Sequence, residues 1–169
     1  MKEQTSQIFQ LKQGPHLLVC FHSRQEEIVH VDLTTHAEKG LSWSLSHNVD
    51  QPNSLLLDKI NDWMTMYSQG TQPSLSLPLC LNWVSSFNKV ILETLQLIPF
   101  GQATTYGALA ALAGRPKAAR AVGNACGSNP MPLVIPCHRV LASNMRFGGF
   151  SLNPSIKKTL LDFEKITFS

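Results

Sequence analysis

A cysteine, a histidine and an arginine follow one another at Cys137, His138 and Arg139, inside the apolar run Val134-Ile135-Pro136 and Val140. A buried cysteine is ordinarily a small inert hydrophobe. Cationic neighbours change that, because they favour the thiolate, which is the nucleophilic form. Pro136 removes a backbone donor and stiffens the approach to the thiol. Asn129-Pro130 and Met131-Pro132 lie just upstream. The segment therefore reads as a constrained loop, not a helix, that presents one nucleophile.

The elements before this loop read as helices. Trp83, Phe87, Val90, Ile91 and Leu95 form one apolar stripe that ends at Pro99. Thr105–Ala113 is expected to be a second helix with Leu109 and Leu112 facing inward. Ala113-Gly114-Arg115 is a short turn, and Pro116 is expected to open a third helix. Helix, short turn and helix give the outline of a helix-turn-helix. At 100° per residue, Ala118, Ala121, Val122 and Ala125 share one side, and Lys117, Arg120 and Asn124 the other. That outer face suits nucleic acid, though many short helices pair an alanine face with a basic one.

Charge is distributed unevenly. Residues 1–98 carry 6 Lys/Arg and 9 Asp/Glu, and residues 99–169 carry 8 and 2. No acidic residue occurs between Glu93 and Asp162, a span that holds Arg115, Lys117, Arg120, Arg139, Arg146, Lys157 and Lys158. A field of one sign attracts polyanions. A solvated basic face explains the same residues, and charge alone does not choose between the two.

The chain of 169 residues is 43% apolar and 15% charged, which excludes a disordered chain and leaves room for one domain or two small ones. No apolar run is long enough for a membrane helix, and Met1-Lys2-Glu3-Gln4 lacks the apolar stretch of a secretory signal. Cys20, Cys80, Cys126 and Cys137 are far apart, which argues against a zinc ribbon or a disulfide scaffold and for a reducing, cytoplasmic location. His16–Phe21 and Ile28–Leu33 read as strands joined by the turn Ser23-Arg24-Gln25-Glu26, and Leu41–Leu45 as a third strand. Asn53–Tyr67 reads as a helix with Asn53 as its N-cap. Gly70–Pro78 is linker-like, so the domain boundary is expected there, between 1–78 and 79–169.

Ile135-Pro136-Cys137-His138-Arg139-Val140 resembles the active-site signature of the O6-alkylguanine-DNA alkyltransferases, also called methylated-DNA–protein-cysteine methyltransferases. Pro99-Phe100-Gly101, Thr105-Tyr106 and Leu109-Ala110 are similar to the family's first motif helix. Pro116 to Gly123 is similar to its recognition helix, Asn129-Pro130 to its asparagine hinge, and Lys157, Leu160, Leu161 and Glu164 to its closing helix. The resemblance covers roughly residues 80–165 with order and spacing intact. It implies an α+β fold: a small, variable N-terminal domain of sheet plus helix, then a mostly helical, winged-helix-like domain that carries the helix-turn-helix.

The resemblance also implies a function, direct-reversal DNA repair. The substrate is guanine in duplex DNA with a methyl or larger alkyl group on O6, and O4-alkylthymine is a second candidate. The nucleotide must be flipped out of the stack. The helix-turn-helix enters the minor groove, Arg120 fills the gap, Tyr106 presses on the 3′ phosphate, and Arg115 and Lys117 add DNA contacts. Cys137 attacks the alkyl carbon, His138 acts as base through water, and Glu164 holds the imidazole. Tyr106 also donates to N3 of the leaving base, and Asn129 braces the loop. Val140, Phe150, Ser151 and Leu152 form the pocket, with Ser143 near the base. No metal or cofactor is required, and each monomer acts once. Cooperative assembly along DNA is left open.

Two departures from the family pattern stand out. Phe150 replaces a frequent tyrosine, and Leu152-Asn153-Pro154 replaces a small residue and a glycine. The expectation is a pocket narrowed by Leu152 and Pro154 that takes a methyl group and resists a benzyl group. Bland readings stand beside these roles: Glu164 as an exposed helix residue, Tyr106 as a core tyrosine, Arg139 as a structural tie. His16, His22, His30, His36 and His47 read as surface or core residues, and Cys80 and Cys126 as buried structural thiols. Cys20 and His22 lack two further ligands, so no metal site is expected. Three other functions compete. A non-catalytic alkyltransferase-like protein replaces the cysteine, often with tryptophan. A cysteine hydrolase explains neither the acid-free span nor the Arg120 helix, and a transcription regulator does not explain the Pro-Cys-His-Arg loop.

Overall fold

The computed structural model describes residues 8–11, 13–35, 40–47 and 54–169. Met1–Gln4, His36, Asn53 and the side chain of His47, each read above, lie outside what is described. The chain divides into two compact units, Met1–Leu81 and Asn82–Ser169.

In the first unit Leu17, Val19 and Phe21 are buried at every second position, the period of a strand with one face on a core. They belong to β2 (Leu17–Arg24), which pairs antiparallel with β3 (Glu27–Thr35). β4 (Leu41–His47) runs parallel to β2 with Leu17 opposite Leu41. The remaining edge is β1 (Ile8–Leu11), antiparallel to β4, giving the order β1-β4-β2-β3. Trp43 of β4 is fully buried, stacked on Phe9 at 4.3 Å and met edge-on by Phe21 at 6.2 Å. The sheet is completed by α1 (Ser54–Ser68), which buries Leu56, Ile60, Trp63, Met64 and Tyr67 at helical spacing.

The linker expected at Gly70–Pro78 is part of this unit. Ile28 N–H donates to Pro78 O at 2.8 Å, Cys80 N–H donates to Ile28 O at 2.9 Å, and Leu77 and Leu81 are buried. Its proline and serine content marks irregular backbone, but its leucines fill core. Cys80, expected to be buried, is half-buried.

The second unit begins with α2 (Ser86–Leu95), whose N-cap Ser85 accepts from Asn88 N–H at 3.3 Å and whose inner face is Ile91, Leu92 and Leu95. Trp83 precedes the Ser85 cap and is 61% exposed, and Val90, although inside the helix, lies off the Ile91-Leu92-Leu95 face and is exposed. Next come β5 (Thr104–Thr105), α3 (Tyr106–Leu112) and α4 (Ala119–Gly127). Thr105 caps α3 by accepting from Ala108 N–H at 3.2 Å. Leu109 and Ala110 are buried, but Leu112, expected inside, is 58% exposed at the last position of α3. Pro116 does not open α4. Ala118 N–H closes a turn onto Arg115 O at 2.8 Å, and the helix starts at Ala119. Its packed stripe is therefore Val122, Ala125 and Cys126, and Ala121 is exposed. Beyond the Cys137 loop, β6 (Val140–Leu141) pairs in parallel with β5. The last helix, α5 (Pro154–Phe163), is capped by Asn153 and buries Ile156, Lys157, Leu160 and Leu161. The architecture is α+β, as expected.

One glycine of the first unit is required by sterics. Gly14 has φ +110°, and a Cβ there would lie 2.9 Å from Leu41 Cβ and 3.3 Å from Ser68 Cβ. Gly70 has φ +75° with nothing within 4 Å of such a Cβ. Gly14→Ala is expected to cost about 2–4 kcal/mol, from left-handed strain plus overlap. Gly70→Ala should lose only the strain, about 1 kcal/mol. Denaturant midpoints of the two variants check this, and equal losses would mean that Leu41 and Ser68 yield freely.

Candidate active site

Cys137 opens a single turn of 3-10 helix, Cys137–Arg139, where a plain loop was expected. The turn is held at its base. Cys137 N–H donates to Ile135 O at 2.8 Å and Arg139 N–H to Pro136 O at 3.0 Å. Asn129 braces it from upstream: its amide donates to Ile135 O at 2.8 Å and its Oδ1 accepts from Met131 N–H at 3.0 Å. β6 follows at once and is tied to β5, which leads into α3. The Cys137 turn is thus placed by the same short sheet that leads into α3.

His138 and Glu164 are fully buried and bonded, His138 Nε2 to Glu164 Oε1 at 2.8 Å. Arg139 donates to the same carboxylate through Nε (2.8 Å) and Nη2 (3.0 Å), and through Nη1 to Ile98 O at 2.6 Å. Gly101 N–H adds a fourth bond, to Glu164 Oε2 at 3.3 Å. Burial alone would raise the Glu164 pKa, but the bonds and charges of His138 and Arg139 outweigh it and hold the acid at about 2. Glu164 is therefore ionised and His138 Nε2 must carry the proton toward it. Burial lowers the His138 pKa against the pull of Glu164, so the ring is neutral. Its Nδ1 is then a free acceptor, and it is buried with no protein partner.

Burial also pushes the Cys137 thiol up. Asn129, Lys157 and the N–H groups of Cys137 and His138 pull it back down. In the sequence Lys157 stands out only as part of the closing helix. It is completely buried, and its Nζ donates to Val140 O at 2.8 Å and Gly149 O at 3.1 Å. The ammonium lies over the rings of Phe147 at 5.1 Å and Phe150 at 5.9 Å. Burial lowers its pKa to about 8, against the two thiols Cys137 and Cys126. The signal was present in the sequence: Lys157, Leu160 and Leu161 share one helical stripe, so a charge stands in an apolar row.

A cavity of about 210 Å³ opens at Cys137. Tyr106, Phe150 and Ser151 line it, together with Gly123, Cys126 and Gly127 of α4 and Gly149. Tyr106 is half-buried, and its hydroxyl donates to Gly149 O at 3.4 Å, the carbonyl that Lys157 also uses. The expected wall needs correction. Val140 is fully buried and off the cavity surface, because its carbonyl is turned to Lys157 and its side chain into the core. Leu152 and Pro154 do not line the cavity either, because the chain has already turned into the Asn153 cap of α5. Ser143 lies in an exposed turn, away from the lining. Cys126, expected to be structural, is on the wall. Arg120 and Asn124 share the exposed face of α4, and Arg115 and Lys117 are exposed in the turn before it.

Among the described residues no group of three or more His, Cys, Asp or Glu is placed to hold a metal, and no helix is long and apolar enough to cross a membrane. His22 and His30 instead share the Asp32 carboxylate, at 2.8 and 3.2 Å.

Comparison with known proteins places this geometry in a family. Residues 86–166 match the family model for the 6-O-methylguanine DNA methyltransferase DNA-binding domain. The methylated-DNA–protein-cysteine methyltransferase of Cricetulus griseus is 40% identical over 124 residues, covering 69% of this chain and 58% of that protein. The constitutive Bacillus subtilis protein of the same name is 33% identical over 133 residues, covering 78% of this chain and 80% of its own length. The chain spans about half the length of the first curated relatives it matches, from 47% to 58%. A crystal structure of Mycobacterium tuberculosis OGT in complex with DNA is 28% identical with a TM-score of 0.61, covering 83% of this chain and 82% of that one. With a Cys-His-Arg turn anchored on Glu164 and a match to 80% of the Bacillus subtilis protein at 33% identity, the chain belongs to the 6-O-methylguanine DNA methyltransferase family.

Proposed function

We propose that this protein repairs alkylated DNA directly, moving the alkyl group from O6 of guanine onto Cys137 in a single turnover. The observation that carries this reading is a cysteine on the wall of a 210 Å³ cavity, next in sequence to a buried histidine whose Nδ1 lacks a partner. Residues 82–169 supply DNA binding and chemistry, and residues 1–81 form the variable domain. The partner is double-stranded DNA carrying the lesion, met by a monomer where the genome lies.

The modified guanine leaves the stack for the cavity, since its O6 substituent is out of reach inside a duplex. Arg120, exposed on α4, enters the gap, and Arg115, Lys117 and Ser143 contact the strand. In the cavity the base lies between Tyr106, Phe150 and Ser151. The Cys137 proton passes through a water to His138 Nδ1, and the charge that results on the imidazole is balanced by Glu164. Asn129 and Lys157 favour the thiolate. The sulfur attacks the alkyl carbon, the C–O bond breaks, and a proton from Tyr106 to N3 neutralises the departing guanine. The thioether has no route back to a thiol, so the molecule is spent.

Intact mass spectrometry after mixing with an O6-methylguanine duplex tests this directly. The protein should gain the mass of one CH2 on Cys137. Cys137→Ala should gain nothing and still bind DNA, and uptake at another cysteine would sink the assignment.

Arg120→Ala should slow repair of duplex DNA far more than reaction with the free modified base. Flipping support worth ~1–3 kcal/mol corresponds to roughly 5- to 150-fold in rate. Equal slowing on both substrates would place Arg120 elsewhere. Binding should also weaken steeply with salt.

Acid should unfold the second unit through Glu164. Its folded pKa of about 2 lies below the ordinary 4.5. Its stabilisation is therefore complete above the ordinary value and is lost as pH falls toward the folded one. Glu164→Gln leaves Arg139 buried without its anion, and should cost ~3–5 kcal/mol at neutral pH and flatten the acid limb. An unchanged pH profile in denaturant melts would show that the pair contributes nothing.

A further inference from the structure

Cys126 is a buried free cysteine that the repair chemistry leaves unused. Of the three residues that α4 contributes to the cavity wall, Gly123 and Gly127 have no side chain, so the Cys126 thiol is the only functional group α4 presents there. Cys137 is on the same wall. The Asn129 bonds to Ile135 O and Met131 N fix the chain between the two cysteines, and Cys126 lies close enough for a charge on Cys137 to raise its pKa.

We propose that Cys126 and Cys137 form a redox pair that closes across the cavity when the protein meets a hydroperoxide and reopens with a thiol reductant. The Cys137 thiolate attacks hydrogen peroxide, the O–O bond breaks, and Cys137 becomes a sulfenic acid with release of hydroxide. Cys126 then displaces the sulfenic oxygen. An S–S bond forms, the S–O bond breaks, and the thiol proton leaves with the oxygen as water. Two electrons pass from the two sulfurs to the peroxide. Burial raises both thiols, and Cys137 takes the first step because Asn129, Lys157 and two backbone N–H groups offset part of its rise. Cys126, pushed up to about 12 mainly by burial, remains a thiol until the second step. The consequence is protective. A sulfenic acid without a nearby thiol proceeds to the irreversible sulfinic acid, and a nucleophile used once per molecule cannot be replaced. The protective role rests on Cys137 being the alkyl acceptor. The pairing itself does not.

The test treats the reduced full chain with hydrogen peroxide in the absence of DNA, followed by intact mass and peptide mapping. The expected product has lost two hydrogens and yields a cross-linked peptide joining the Cys126 and Cys137 segments. A thiol reductant should remove the cross-link and restore methyl uptake from O6-methylguanine DNA. Cys126→Ala, and Cys126→Ser in case the alanine variant fails to fold, should instead add oxygen at Cys137 that the reductant does not remove. A native chain that accumulates two or three oxygens on Cys137 without the cross-link overturns the proposal, as does a disulfide to Cys20 or Cys80. Methyl uptake by the untreated chain reads the repair function separately. A cross-link without methyl uptake would overturn that function and leave the redox pair standing.

Discussion

The Glu164 carboxylate is the point on which the second unit is organised. Moving one carboxylate out of water costs several kcal/mol even after relaxation, and the cost is met only when its lone pairs are filled. Here His138, Arg139 and the Gly101 N–H fill them. The donors come from two separate places in the chain: the 3-10 turn that opens at Cys137 and the loop after α2. Glu164 itself is the C-cap of α5. The end of the last helix therefore cannot move without unpairing an ion, and the histidine cannot rotate without leaving its carboxylate. The burial of the ion and the orientation of the imidazole depend on the same hydrogen bonds.

Lys157 solves a different problem with the same economy. Its ammonium is bonded to two carbonyls rather than a carboxylate, so its charge is solvated but not cancelled. An uncancelled cation near a buried thiol makes up part of what burial takes from the thiolate. The carbonyls it uses belong to Val140, just after the Cys137 turn, and to Gly149 on the cavity wall. Lys157 thus ties the strand after the Cys137 turn to the cavity wall. Tyr106 meets the same Gly149 carbonyl from α3, so α3, α5 and the wall converge on one oxygen.

Much of this was legible in the residues, for reasons that differ by element. β2, β3 and α1 carried a period of two or near four with few exceptions, and each formed within a few residues of where the period placed it. β1 has only Ile8-Phe9-Gln10-Leu11, too short to show a period, and its partner β4 is distant in sequence. The start of α4 was misplaced because Pro116 is equally suited to a first helical turn and to a β-turn, and only the bond from Ala118 to Arg115 decides. In the site, Cys137, His138 and Glu164 were named from the motif, yet no periodicity says that Arg139 shares the carboxylate. The wall was least legible. Leu152 and Pro154 are bulky and adjacent to the motif, but the Asn153 cap turns the chain away before they can reach it.

The glycines of the cavity show which constraint acts where. Gly14 cannot accept a Cβ because Leu41 and Ser68 already occupy its place, so the fold itself demands glycine there. Gly127 and Gly149 would meet nothing within 4 Å, and a Cβ at Gly123 would only touch the Tyr106 ring at 3.9 Å. Nothing in the protein prevents a side chain at these three positions. A helix gains roughly 0.5–1 kcal/mol from alanine over glycine, so α4, with glycine at 123 and 127, is less stable than its packing allows. What a side chain would occupy is the cavity. The volume beside Cys137 is thus kept open in part by two glycines of α4, at positions where alanine would favour the helix.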